Sequence, residues 1–210
     1  TVSATARNRL AAIDTAGALQ AWNPDANNNV STLASSGSTI YLGGSFTTIG
    51  ATARNRLAAV DTAGVLQAWN PDANGAASAI AISGSTIYMG GSFNTIGGTA
   101  RNRLAAVDTA GVLLSWNPDA GAGGILAIAV SGSTIYAGGT FTTIGGTARN
   151  RVAAIDTAGL LQSWNPDASN SVNSLVTSGS TVYVGGGYTT VGGVDSFYLS
   201  SINTDGSLNW

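Results

Sequence analysis

The 210-residue chain contains no cysteine and no histidine. Lysine and glutamate are missing too, so its eight cations are all arginine and its ten anions all aspartate. Each gap removes a class of chemistry. Without cysteine there is no disulfide framework and no thiol to report a redox compartment. Without histidine, cysteine or lysine, a nucleophilic triad has no base, and zinc and most other transition metals have none of their preferred ligands. A formal net charge of −2, on 9% charged residues, gives no field to draw in nucleic acid or an anionic membrane surface. No apolar run approaches the roughly 18 residues of a membrane span, and Ile125 to Val130 is among the longest. No secretory signal stands at the start. The opening Thr1 to Thr5 aligns with Thr95 to Thr99 inside a later repeat, so the chain reads as a processed or excised product, and a missing signal does not argue against export.

What the chain has is repetition. The stretch from Ala53 to Asp72, Ala-Arg-Asn-Arg-Leu-Ala-Ala-Val-Asp-Thr-Ala-Gly-Val-Leu-Gln-Ala-Trp-Asn-Pro-Asp, recurs almost letter for letter from Ala6, Ala100 and Ala148. Trp22, Trp69, Trp116, Trp164 and Trp210 fall 47, 47, 48 and 46 residues apart. Periods in this range mark solenoids, propellers or arrays, in which each unit packs on its neighbour.

Within each unit the pattern is four short strands and tight turns. Asn8 to Asp14 reads as a strand, Asp14-Thr15-Ala16-Gly17 as a turn, and Leu19 to Trp22 as a second strand stopped at Asn23-Pro24. Val30 to Ser35 and Thr39 to Phe46 flank a hairpin turn at Ser36-Gly37-Ser38, and a Thr/Gly-rich loop from Thr47 to Ala53 leads to the next Arg-Asn-Arg strand. The expected fold class is all-β: a β-propeller of four-stranded antiparallel blades. An all-β solenoid is the rival. The first strands, such as Ala77 to Ile82, are rich in small residues, as strands crowded at a hub must be. The expected divisions are an outer half-blade at 1–29, blades at 30–76, 77–123 and 124–171, and a terminal blade at 172–210. Four whole blades and the outer half of a fifth would leave a five-bladed ring without two inner strands; either the natural protein continues, or another chain supplies strands, or four blades close and the spare hairpin packs elsewhere. An exposed strand edge is a template for such pairing.

Three sets of residues could carry a site. The pairs Arg7/Arg9, Arg54/Arg56, Arg101/Arg103 and Arg149/Arg151 lie two apart, which on a strand puts both side chains on one face. That reads either as a ring of guanidinium groups for anions or glycans, or as Arg–Asp pairing with stacking on tryptophan. Asp14, Asp61, Asp108 and Asp156 are placed to cap turns, and Asp25, Asp72, Asp119 and Asp167 follow proline as in type I turns; a Ca²⁺ site is the alternative. The tryptophans read as blade-to-blade core or as sugar platforms. Gly43-Gly44, Gly90-Gly91, Gly138-Gly139 and Gly185-Gly186 are not phosphate loops, since no helix follows, and read as places of close backbone approach. One glycosylation sequon occurs, Asn29-Val30-Ser31. A glycosidase carboxylate pair would break the repeat symmetry, and only Asp195 and Asp205 stand outside it. No catalytic residue, metal site or cofactor is expected.

The segment Ala59 to Trp69, Ala-Val-Asp-Thr-Ala-Gly-Val-Leu-Gln-Ala-Trp, is similar to the tryptophan-docking motif of quinoprotein-like propellers, with internal spacings that differ by one residue. Ser83 to Phe93, followed by Asn102 to Asp108, resembles the delta-60 β-propeller repeats of bacterial surface and secreted proteins, and the repeats of a fungal cortical marker. The resemblance covers essentially the whole chain. It implies that the five tryptophans dock between adjacent blades, and it implies no established activity. The expectation is a non-enzymatic, secreted or cell-surface scaffold that self-associates or binds another surface protein. A lectin-like propeller with equivalent glycan sites between blades is the alternative.

Overall fold

The computed structural model describes residues 6–209; the readings made for Thr1 to Thr5 and for Trp210 lie outside the described residues. Within them every regular element is a β-strand, and the same set recurs four times. The first unit comprises β1 (Val30–Ser36), β2 (Thr39–Gly44), β3 (Thr48–Ile49), β4 (Thr52–Ala53) and β5 (Leu57–Asp61). The second runs β6 (Ala77–Ser83), β7 (Thr86–Gly91), β8 (Thr95–Ile96), β9 (Thr99–Ala100) and β10 (Leu104–Asp108). The third runs β11 (Ile125–Ser131), β12 (Thr134–Gly139), β13 (Thr143–Ile144), β14 (Thr147–Ala148) and β15 (Val152–Asp156). The fourth holds β16 (Val172–Ser178), β17 (Thr181–Gly186), β18 (Thr190–Val191), β19 (Val194–Asp195), β20 (Leu199–Asn203) and β21 (Leu208–Asn209).

Each unit is a small antiparallel meander, ordered β1-β2-β5 in the first and repeated in the others. The β1–β2 hairpin closes through Gly37 and Ser38, between the pair Ser36↔Thr39. Gly37 has φ 57° and Ser38 is not among the positive-φ residues, the pattern of a type II′ turn, whose twist matches that of the flanking strands. This repeated all-β architecture fits a propeller-type repeat protein.

The fourth strand is shorter than expected. After β5, pairing is reduced to the bridge Val60↔Leu66, and the second and third units show the same at Val107↔Leu113 and Ile155↔Leu161. Two hydrogen bonds hold it in the first unit, Asp61 N to Val65 O at 3.0 Å and Gln67 N to Ala59 O at 2.8 Å. The chain then leaves the ladder, because Trp69 turns toward the next unit and Pro71 has no N–H to give. The fourth sheet alone has four strands, β16-β17-β20-β21.

The half-unit before Val30 has the sequence of β5 and its sequel, yet in residues 10–19 only the bridge Ile13↔Leu19 forms. Strand β5 is pinned on its inner side by β2. Residues 10–14 have no such inner partner among the described residues, and two strands alone are marginal in water. A second departure is the Thr47 to Ala53 segment, expected as a loop. It is the hairpin β3–β4, and its Ile49 is buried and bridged to Ala26 of the preceding unit.

The core lies in the joints between units. One face of the first unit, including Tyr41, Ala59 and Trp69, packs on Ile80, Ile87 and Met89 of the second. The next two joints repeat this with Tyr88 and Trp116, then Tyr136 and Trp164. In the joint with the half-unit, Leu10, Ala12, Trp22 and Ala26 pack against Leu42, Ala58 and Val60. Burying each large apolar side chain contributes about 1.5–3 kcal/mol. The paired glycines permit these approaches: a Cβ on Gly91 would overlap the Ala76 carbonyl oxygen, and one on Gly90 would overlap Ile125 of the next unit.

Candidate functional site

The arginines do not form the paired ring that their spacing suggested. Arg54, Asn55 and Arg56 lie between β4 and β5, outside any strand. Arg9, Arg56, Arg103 and Arg151 all take positive φ, between 64° and 67°. A kink of that kind breaks the alternation that would put both side chains on one face. Seven of the eight guanidinium groups instead bond backbone carbonyls. Arg54 donates to Ala53 O at 2.9 Å and to Gln67 O at 3.0 Å, and Arg7, Arg101 and Arg149 repeat the arrangement. Arg56 donates to Ala73 O at 3.3 Å, and Arg9 and Arg103 donate likewise to Ala26 O and Ala120 O. Arg–Asp pairing is not what holds them. The Nε atoms of Arg7, Arg54, Arg101 and Arg149 are buried without a hydrogen-bond partner.

The aspartates divide by role. Asp61 Oδ1 accepts from Ala63 N at 2.9 Å and Val65 N at 2.8 Å, capping its own turn. Asp14, Asp108 and Asp156 do the same. The other set departs from expectation. Asp25, Asp72, Asp119 and Asp167 have φ between 54° and 61°, which fits a type II turn after proline and not the type I turn predicted. Asp72 accepts from the side-chain amide of Asn55 at 2.8 Å, and Asn8, Asn102 and Asn150 bond Asp25, Asp119 and Asp167 likewise. This Asn–Asp tie escaped sequence reading, although its fixed offset of 17 residues was the available signal. Among the described residues no group of three or more acidic side chains is placed to hold a metal ion.

The tryptophans are clasps. Trp69 Nε1 donates to the backbone carbonyl of Asp108 in the next unit at 3.1 Å, and Trp22, Trp116 and Trp164 reach Asp61, Asp156 and Asn203 in the same way. These four indoles are between 4% and 8% exposed, so their faces are not open platforms for sugar rings. Tyr41, Tyr88 and Tyr136 meet Trp69, Trp116 and Trp164 edge-on, each with ring centroids 5.0 Å apart. Burial raises the pKa of these three tyrosines, and of Tyr188, above the usual phenol value. Tyr188 stands where the other units have phenylalanine, and its hydroxyl donates to Val184 O at 2.6 Å and meets Ser200 Oγ at 2.9 Å.

Beside each Tyr–Trp pair a cleft opens between units. Thr39, Tyr41, Gln67 and Thr109 line the first, of about 210 Å³. Thr86, Tyr88, Ser115 and Thr157 line the second, of about 370 Å³, and Thr134, Tyr136, Gln162 and Thr204 the third, of about 240 Å³. Their lining is uncharged, with hydroxyls and amides among apolar carbons. The half-unit joint differs: its cavity of about 300 Å³ is lined by Ala11, Ala12, Trp22, Leu33, Ile40 and Thr62 and is almost wholly apolar.

Large apolar side chains meet solvent at turn positions of the inner units, Val65, Val112 and Leu160, and on the open faces at the two ends. Leu33 at one end is 54% exposed, whereas its counterpart Ile80 is buried. At the other end Val176, Tyr183 and Leu199 are 59%, 42% and 70% exposed. Phe197 and Tyr198, which replace Asn and Arg of the repeat, are also exposed.

No family model matches the chain, and no curated protein matches it. Among solved structures it is similar to the computationally designed Ika4 protein, with a TM-score of 0.59 and 14% identity over 84% of this chain and 92% of that one. It is also similar to the computationally designed Ika8 protein, with a TM-score of 0.56 and 13% identity over 93% of this chain and 65% of that one. At that identity the likeness is one of fold: an all-β repeat of small antiparallel sheets.

Proposed function

We propose that the chain is a non-enzymatic scaffold of the propeller type, with four blades and half of another, that associates with copies of itself through its ends. The exposed apolar faces at both ends carry the reading. Leu33 and the apolar cavity lie at one end, and Val176, Tyr183 and Leu199 at the other, in a molecule whose interior joints bury the counterparts of Tyr183 and Leu199 and at least partly bury those of Leu33 and Val176. A delta-60 type origin and a place outside the cell or on its surface belong to the same proposal and rest on the repeat resemblance. Light scattering after size exclusion, over a range of concentrations, tests it. Mass that rises with concentration is expected, and a monomer at every concentration overturns the reading.

A second reading is favoured by one observation, the recurrence of an uncharged, hydroxyl-lined cleft at three successive joints. Such clefts suit a neutral polyol, and the chain would then be a lectin-like module with equivalent sites. A glycan array decides. Binding by a constant monomer favours the lectin, and assemblies blind to every glycan favour the scaffold.

A further inference from the structure

Residues 10–14 carry Leu-Ala-Ala-Ile-Asp, the sequence that in the next unit, as Leu57-Ala-Ala-Val-Asp61, lies against β2. Here hydrogen bonds are made only on the outer side, from Gln20 N to Ala12 O at 2.9 Å and from Asp14 N to Ala18 O at 3.0 Å. Among the described residues the inner side has no strand. A row of unpaired N–H and C=O groups is a template for another chain. Beside it lies the apolar cavity of about 300 Å³ between Ala12, Trp22, Leu33 and Ile40. The following joints show what belongs there. Ile80 and Ile87, the counterparts of Leu33 and Ile40, share one buried cluster with Tyr41, whose ring stands edge-on to Trp69 at 5.0 Å. Trp22 is the clasp that lacks such a tyrosine among the described ring contacts.

One tyrosine of the set is left over. Tyr41, Tyr88 and Tyr136 are 3–4% exposed, whereas Tyr183 at the same position of the fourth unit is 42% exposed, with Val176 beside it on the same open face. We infer that the β16–β17 hairpin of a second copy completes the half-unit: β17 pairs with residues 10–14, and Tyr183 fills the cavity against Trp22. The register follows from the repeats. Tyr41↔Ala59, Tyr88↔Ala106 and Tyr136↔Ala154 are the internal pairs, so Tyr183 meets Ala12 and Thr181 meets Asp14.

Within one copy β17 is paired instead with β20, so the two strands compete for its edge. Residues 10–14 have the sequence that holds this place in the other units. Strand β20 reads Leu199-Ser-Ser-Ile-Asn, with Leu199 70% exposed. Releasing β20 costs the Tyr188–Ser200 contact, the buried Ile202 and the Asn203 carbonyl that takes the Trp164 clasp, while the Tyr188 hydroxyl stays on Val184 O. At the same positions residues 10–14 offer Ile13 and the Asp14 carbonyl. The chain's own ends do not satisfy each other, since Tyr183 and the cavity are open in the same molecule. Each copy then offers one hairpin and one edge, a heterologous contact that closes as a ring or runs on as a filament.

This inference rests on the scaffold reading but can fail separately from it. The chain has no cysteine, so introduced pairs report without background. Paired strand positions lie about 4.5–5.5 Å apart, within disulfide reach. Ala12→Cys protein mixed with Tyr183→Cys protein should give a disulfide-linked heterodimer under mild oxidation. Thr181→Cys with Asn203→Cys, neighbours in the β17–β20 register, should lock β20 in place when oxidised. The locked protein should lose assembly at least tenfold and regain it on reduction. A wild-type monomer at all concentrations overturns both readings. An assembly with no 12–183 cross-link, or one that the lock does not weaken, overturns the hairpin exchange alone. A cross-link formed only within single chains of Ala12→Cys/Tyr183→Cys protein overturns the second copy as occupant.

Discussion

At the scale of single residues the arginines act as fixed braces. The Arg101 fork spans two carbonyls, Ala100 O at 2.8 Å and Leu114 O at 2.9 Å, which a lysine point charge cannot do. Arg101→Lys should cost about 1–2 kcal/mol in urea unfolding, while a mere anion-binding role would leave stability unchanged. Trp69→Phe keeps most of the apolar bulk but removes the bond between units to Asp108 O, which keeps only its own turn's donor, Gly111 N. It should cost about 1–3 kcal/mol, read from the same denaturation curve. Both roles were only half legible in the sequence. The tryptophan period announced docking. The Arg-Asn-Arg triplet imitated a strand, because a positive φ at a residue other than glycine leaves no mark in composition.

At the scale of elements, hairpins and joints were the readable part. Gly37 and its counterparts mark the turns, and alternation in β6 or β11 marks the strands. The β3–β4 hairpin was not readable, since two-residue strands are too short for any period, and Ile49 acquires its meaning only from Ala26. The shortened fourth strand was hidden likewise, because what ends it is a bond to another unit. Glycine pairs test this level. In Gly91→Ala the new methyl would meet the Ala76 carbonyl backbone, which cannot move without breaking the β6–β7 register. A loss of about 4 kcal/mol or more is expected. A melting temperature within a few degrees of wild type would contradict that packing.

At the scale of the whole molecule, apolar ends and sparse charge set the behaviour. The proposed association through the apolar ends, if Leu33, Val176 and Tyr183 drive it, should persist from low to high salt, and Val176→Asp should weaken it by at least tenfold, as sedimentation would report. The chain has no side chain whose ordinary pKa is near neutral. Tyr41, Tyr88, Tyr136 and Tyr188 have folded pKa values raised by burial, so their contribution is complete below the ordinary phenol pKa. It is lost as pH climbs above about 10 and the unfolded chain gives up protons that the folded chain keeps. Stability measured against pH should therefore show an alkaline limb. The clasp from one tryptophan to the next unit's carbonyl spans 39 residues in three joints and 40 in the other. Excising one whole period would hand each indole an equivalent acceptor further along. Size here is thus a copy number, and adding or removing whole repeats would lengthen or shorten the protein while leaving its seams intact.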